Sequence, residues 1–136
     1  MQLVLAFAMS WLSLYDPVGY HHMGPFWGVV KEESPIIRAG IHYLGWADGL
    51  AHTIALDWPA IQSRYQGGWD DEWDAKADAT CKMVHEATHL EASGWNEELP
   101  LLREYLCLDR LGASRAMKDG VYRSLEALLP LGEGSE

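Results

Sequence analysis

The sequence predicts an α+β domain, helices around a small antiparallel or mixed sheet, and three observations lead there. The run between the candidate caps Asp70 and Asp71 and the candidate stop Gly94 contains neither proline nor glycine, and Ala77, Cys81, Val84 and Thr88 share one helical stripe within it with His85. Between Pro100 and Gly112, Leu101, Glu104, Cys107, Leu108 and Leu111 recur at i, i+3, i+4 and i+7. Proline suits the first position of such a helix and glycine its stop. Two apolar runs, Ile36 to Leu44 and Leu50 to Asp57, flank Trp46-Ala47-Asp48-Gly49. Asp-Gly between apolar runs signals a hairpin.

Taken in order, 136 residues suit one domain over 1–136 with a single core. Ten basic against twenty acidic residues give a net charge of −10. That balance argues against a nucleic-acid partner and an anionic membrane surface, and it favours solubility. Residues 3–15, LVLAFAMSWLSLY, are apolar but too few to span a bilayer. Met1-Gln2 supplies no basic region of the kind that opens a secretory signal. A helix packed behind the sheet is the first reading of this segment, and the remnant of a signal or membrane anchor the second. Membrane association would run through residues 3–15 alone, and a cytoplasmic location is favoured over a secreted or anchored one.

Asp16 to Ser34 carries turn residues throughout and reads as a loop. Within it, His21 and His22 are adjacent, diverge on any regular element, and read as an exposed or locally bonded pair. In the second strand, Leu50, His52, Ile54 and Leu56 alternate onto one face. Trp58 to Trp69 turns through Pro59 and Gly67-Gly68 towards the long helix, for which Asp70 and Asp71 are candidate caps. Glu72 and Asp74 suit its first turn and Gly94 its stop. Ser114 caps a last helix with Met117, Val121, Leu125 and Leu128 on one stripe. Gly120 weakens that helix, Pro130 ends it, and residues 131–136 form a frayed tail. The seven tryptophans are expected mainly to fill the core.

Inside the long helix lies His85-Glu86-Ala87-Thr88-His89, which fits H-E-x-x-H. Residues i and i+4 are neighbours on one helical face, so the two imidazoles can grip one metal ion. Two imidazoles and one carboxylate leave zinc a fourth position for water, the composition of a catalytic rather than a structural site. Glu86 would lie beside that water, where a carboxylate can take its proton.

The third donor is expected from the following helix. Glu104 sits within the apolar stripe, where a carboxylate is costly to bury unless something neutralises it, and zinc would do so. Glu91 is two residues beyond His89 and points away, while Glu97 and Glu98 fall in the connecting loop and read as solvated. Cys81 precedes His85 by one turn and Cys107 follows Glu104 by one. On antiparallel helices these thiols would be neighbours, read first as small buried side chains in the seam and second as a disulfide.

Val84-His85-Glu86-Ala87-Thr88-His89 followed by Glu104-Tyr105-Leu106-Cys107 resembles the short-spacer gluzincin branch of the zincin metallopeptidases. It looks most like small metallopeptidases with a V-H-E-A-T-H helix and a downstream E-x-x-C helix, over residues 50–112. The resemblance implies a zincin-like fold, one Zn2+ ion held by His85, His89 and Glu104, and Glu86 as general base and acid. It implies a peptide or protein substrate, with the strand Leu50 to Asp57 at the upper rim of the cleft pairing with an extended chain. Tyr105, Tyr122, His42 and His52 are candidate donors to the oxyanion. Two other functions stay open: a zinc-binding regulatory or interaction module with little or no hydrolysis, and a structural protein in which the motif is accidental. Oligomeric state and substrate preference are not written in the sequence.

Overall fold

The computed structural model describes residues 1–66, 71–92 and 96–128. The six helices among them are α1 (Gln2–Tyr15), α2 (Pro17–Met23), α3 (Trp58–Ser63), α4 (Asp71–Ala92), α5 (Glu98–Leu111) and α6 (Arg115–Glu126). Five short strands are β1 (Val30–Glu32), β2 (Ile36–Arg38), β3 (Ile41–Tyr43), β4 (Gly45–Asp48) and β5 (Thr53–Leu56). The fold is therefore α+β.

Helix α4 is the axis. Asp71, Glu72 and Asp74 in its first turn complement the helix dipole. Half of its length is buried, from Ala75 through Thr88, and its alanines let neighbours approach on several sides. Helix α5 packs most extensively along it, α1, α2 and α3 lie against it elsewhere, and β4 and β5 cover a further face. A Cys81–Cys107 disulfide ties α4 to α5: the two side chains are buried in the seam, as the first reading of the cysteines had it, and bridged, as the second had it. The core so formed includes Leu12, Met23, Ile54, Leu56, Ile61, Met83, Val84 and Leu108. Ser114 accepts from the Met117 amide as the cap of α6, a helix with no fully buried residue. The expected caps and stops at Asp70, Gly94 and Pro130, the Gly67-Gly68 turn and the tail 131–136 lie outside the described residues.

The sheet departs from its expected register. The Asp-Gly hairpin exists, but it joins β4 to β5 (Ala47 opposite Ile54), and Asp48 Oδ1 accepts from the Leu50 and Ala51 amides at 3.0 Å each. Ile36 to Leu44 is not one strand. It folds on itself at Ala39-Gly40, both in the left-handed region (φ 53° and 78°), giving the separate β2–β3 hairpin. β5 pairs parallel with β1 and antiparallel with β4, so it is the centre of a three-stranded mixed sheet. Both its edges are taken. The terminal strand on the α4 side is β4.

Other expectations are corrected too. Helix α1 buries Val4, Ala8 and Leu12 against helices α4, α2 and α5 rather than behind the sheet. No described helix is long and apolar enough to cross a membrane. Residues 16–34 are not simply loop: the buried Asp16 caps α2 by accepting from the Gly19 amide, with Pro17 at the first position. Asp57 and Pro59 start α3 in the same way. All five described tryptophans are half-buried rather than fully inside, with Trp11 and Trp73 edge-to-face at 5.5 Å between α1 and α4.

Candidate metal centre

His85 and His89 lie on the same face of α4, one turn apart, with ring centroids 5.1 Å from each other. Their side chains are only 12% and 9% exposed. Glu97, the residue before α5, lies beside this pair. Glu97 Oε1 lies 2.8 Å from Nε2 of His85 and 2.8 Å from Nε2 of His89. Among the described residues, His85, His89 and Glu97 form a group whose donor atoms all lie within 4.8 Å of one another. Glu104 is not in that group.

Glu104 takes a different position. Its carboxylate is almost fully buried, and Oε1 accepts from Nδ1 of His85 at 2.8 Å, on the far side of the ring from Glu97. The structure thus brings Glu104 to one histidine and Glu97 to both. Glu97 lies outside α5 as expected and its side chain is 44% exposed, but it bonds both histidines rather than solvent alone. A carboxylate at the start of α5 meets the end of α4, whereas one two turns later lies alongside His85. Glu91 does point away, bonded to His22 and Arg103.

The electrostatics follow from these contacts. Burial disfavours the His85 imidazolium, but hydrogen bonds to Glu104 and Glu97 outweigh it, and its pKa is pushed up to about 10. Glu97 is held down at about 2, chiefly by its hydrogen bonds to His85 and His89. Burial lifts Glu86 to about 7, opposed by the two neighbouring imidazoles. Burial also works against the Glu104 carboxylate, yet Lys82 and His85 keep it below the usual range. Among the described residues Glu86 makes no side-chain hydrogen bond, and it packs under β4: a Cβ placed on Gly45 would come 3.1 Å from its Oε2.

The donor set suits a borderline divalent ion. Two imidazole nitrogens and one carboxylate oxygen already converge on one point, and the four-residue spacing of the histidines is fixed by the helix. Glu104 on Nδ1 occupies the position that an outer carboxylate would take if Nε2 of His85 held a metal. Other candidates stand apart. His42 Nε2 bonds Asp57 Oδ2 at 2.7 Å, His52 packs on Phe26, and Tyr105 pairs with Tyr122 across α5 and α6. No family model matches the chain, and no curated protein or solved structure is similar to it.

Proposed function

We propose that the protein hydrolyses peptide bonds at one zinc ion held by His85, His89 and Glu97, with Glu86 as general base and acid. The observation that carries this reading is the convergence of both Nε2 atoms on one carboxylate oxygen beside a buried glutamate lifted towards neutrality. Zinc would supply Lewis acidity and a bound water of near-neutral pKa. Glu86, lifted by burial towards neutrality, would take a proton and later return it to a leaving nitrogen. Glu104 keeps the His85 ring in one tautomer and orientation.

A zincin-like arrangement is part of the proposal, with one exchange of roles. β5 is paired on both sides, so an extended substrate would lie along β4. The Asp57 amide bonds the Leu44 carbonyl, and alternation then turns the backbone groups of Gly45 and Ala47 away from β5 to the open edge. Gly45 also lies against Glu86, which puts that edge beside the base.

A zinc-binding module with little hydrolysis is favoured by one feature, the burial of Glu86, which is 9% exposed. Zinc-loaded protein and its Glu86→Gln variant, assayed on a peptide library, separate the two. The expected result is cleavage by the parent and a loss of about 100-fold or more in the variant with zinc still bound. Equal activity in both would dismiss Glu86 as the base, and inactivity of both would select the module.

A further inference from the structure

Glu104 uses one oxygen on His85, and what holds the other lies deeper between the helices. Oε2 of Glu104 is 3.4 Å from Nζ of Lys82, which donates at 2.8 Å to Oδ1 of Asp78, one turn earlier on α4. Oδ2 of Asp78 accepts from the Tyr65 hydroxyl at 2.6 Å, with the Arg64 guanidinium 3.8 Å away. The result is a line of alternating charge, Asp78, Lys82, Glu104, His85, whose side chains are 5%, 17%, 5% and 12% exposed. A lysine so placed is costly in a seam of small and apolar residues, and structure alone would be served as well by an apolar side chain.

Two side chains hold the Glu104 carboxylate, the His85 ring at Oε1 and the Lys82 ammonium at Oε2. With Nε2 given to an ion, His85 would keep its proton on Nδ1 for Glu104, and Lys82 would be the other fixed partner of that carboxylate. We propose that Lys82 is a positioning residue of the metal centre: it anchors Glu104 so that His85 presents Nε2 to the ion. This rests on the reading of His85 as a metal ligand.

Zinc affinity, measured by competition with a chromophoric chelator, tests both levels separately. The parent protein should bind one zinc; binding none would overturn the metal reading and this inference with it. Given that binding, Lys82→Met should weaken it by about 10- to 100-fold, the range for outer partners of ligating histidines. Lys82→Arg should recover most of the loss, because a guanidinium can still span Asp78 and Glu104. Glu104→Gln should cost as much as Lys82→Met, and the double variant little more than either, since both act through one contact. Asp78→Asn/Lys82→Met removes the ion pair whole and serves if the single variant does not fold. Parental affinity in a folded Lys82→Met or Asp78→Asn/Lys82→Met protein, or losses that simply add, would overturn the role of Lys82.

Discussion

Glu97 and Glu104 both touch His85 at 2.8 Å, yet they sit two helical turns apart along the seam between α4 and α5 and on opposite sides of the ring. Around Glu104 the helices are bridged by Cys81–Cys107 and the carboxylate is enclosed by Lys82 and His85. Glu97 precedes the first residue of α5, and its carboxylate is half-exposed while bonding both histidines. The buried end can hold a charge only by surrounding it with fixed partners, which suits orienting work. The open end can give one oxygen to an ion and still leave room for water and substrate, which suits ligation. A carboxylate at helical spacing in an apolar stripe is thus the less suitable ligand of the two.

Substitution should split the two carboxylates along these lines. Glu97→Ala is expected to weaken zinc binding by more than about 100-fold, beyond what loss of an outer partner costs. Its effect on metal-free stability should stay within about 1 kcal/mol, because the pair is screened by solvent. Glu104→Ala should do the reverse. Zinc binding falls by only about 10- to 100-fold, while metal-free stability drops by roughly 3 kcal/mol as a buried charge cluster loses a member. Chelator competition and urea unfolding of the two variants check both halves. A more severe zinc loss in Glu104→Ala than in Glu97→Ala would exchange the roles assigned here.

The disulfide sharpens the same contrast, because it sits at the Glu104 end. Its cysteines are 26 residues apart in sequence, and a loop of that size is worth about 3 kcal/mol in constraint on the unfolded chain. Reduction should lower the urea midpoint accordingly. Zinc affinity should fall less than in Glu97→Ala, since the Glu97 end has no covalent tie. Unfolding titrations with and without a phosphine reductant measure the effect, and an unchanged midpoint would contradict it.

The long helix and its histidine pair were legible in the sequence because helical period fixes both at once: no residue from Asp71 to Ala92 breaks the run, and His85 and His89 must share a face. The α5 helix and the Ser114 cap were legible for the same local reason. Glu97 was not. Polarity and a neighbouring glycine made it look solvated, whereas its position depends on the reversal of the chain between two helices. The available signal was the shortness of that connection, which obliges the start of α5 to sit beside the end of α4. Asp16-Pro17 and Asp57-Trp58-Pro59 each offered a cap followed by a helix-starting proline, and both were outweighed by the turn-forming residues around them. The strand register failed because the reversal at Ala39-Gly40 was marked in the sequence by Gly40 alone, Ala39 being a non-glycine residue at positive φ.

The smallest effect expected is a pH dependence that changes sign with metal. In the metal-free chain the His85 pKa is raised to about 10, so its contribution to stability is complete below the ordinary value near 6.5 and is lost as pH rises through about 10. Glu86, raised by burial to about 7, acts in the same direction: the folded chain prefers its neutral form, and the benefit is lost as pH rises from 4.5 through about 7. Glu97, lowered to about 2, contributes fully above 4.5 and loses its contribution only as pH falls through about 2. Metal-free protein should therefore be most stable in mild acid and lose a few degrees of melting temperature towards pH 9. Zinc at Nε2 would have to displace a proton from His85, so its stabilising effect should grow over the same interval, with proton release on binding at pH 7. Thermal melts from pH 4.5 to 9, with zinc and with chelator, would show two curves that diverge as pH rises. Parallel curves would mean that the proton on His85 and the metal do not compete for Nε2, and the contact between His85 and Glu97 would then be a salt bridge and nothing more.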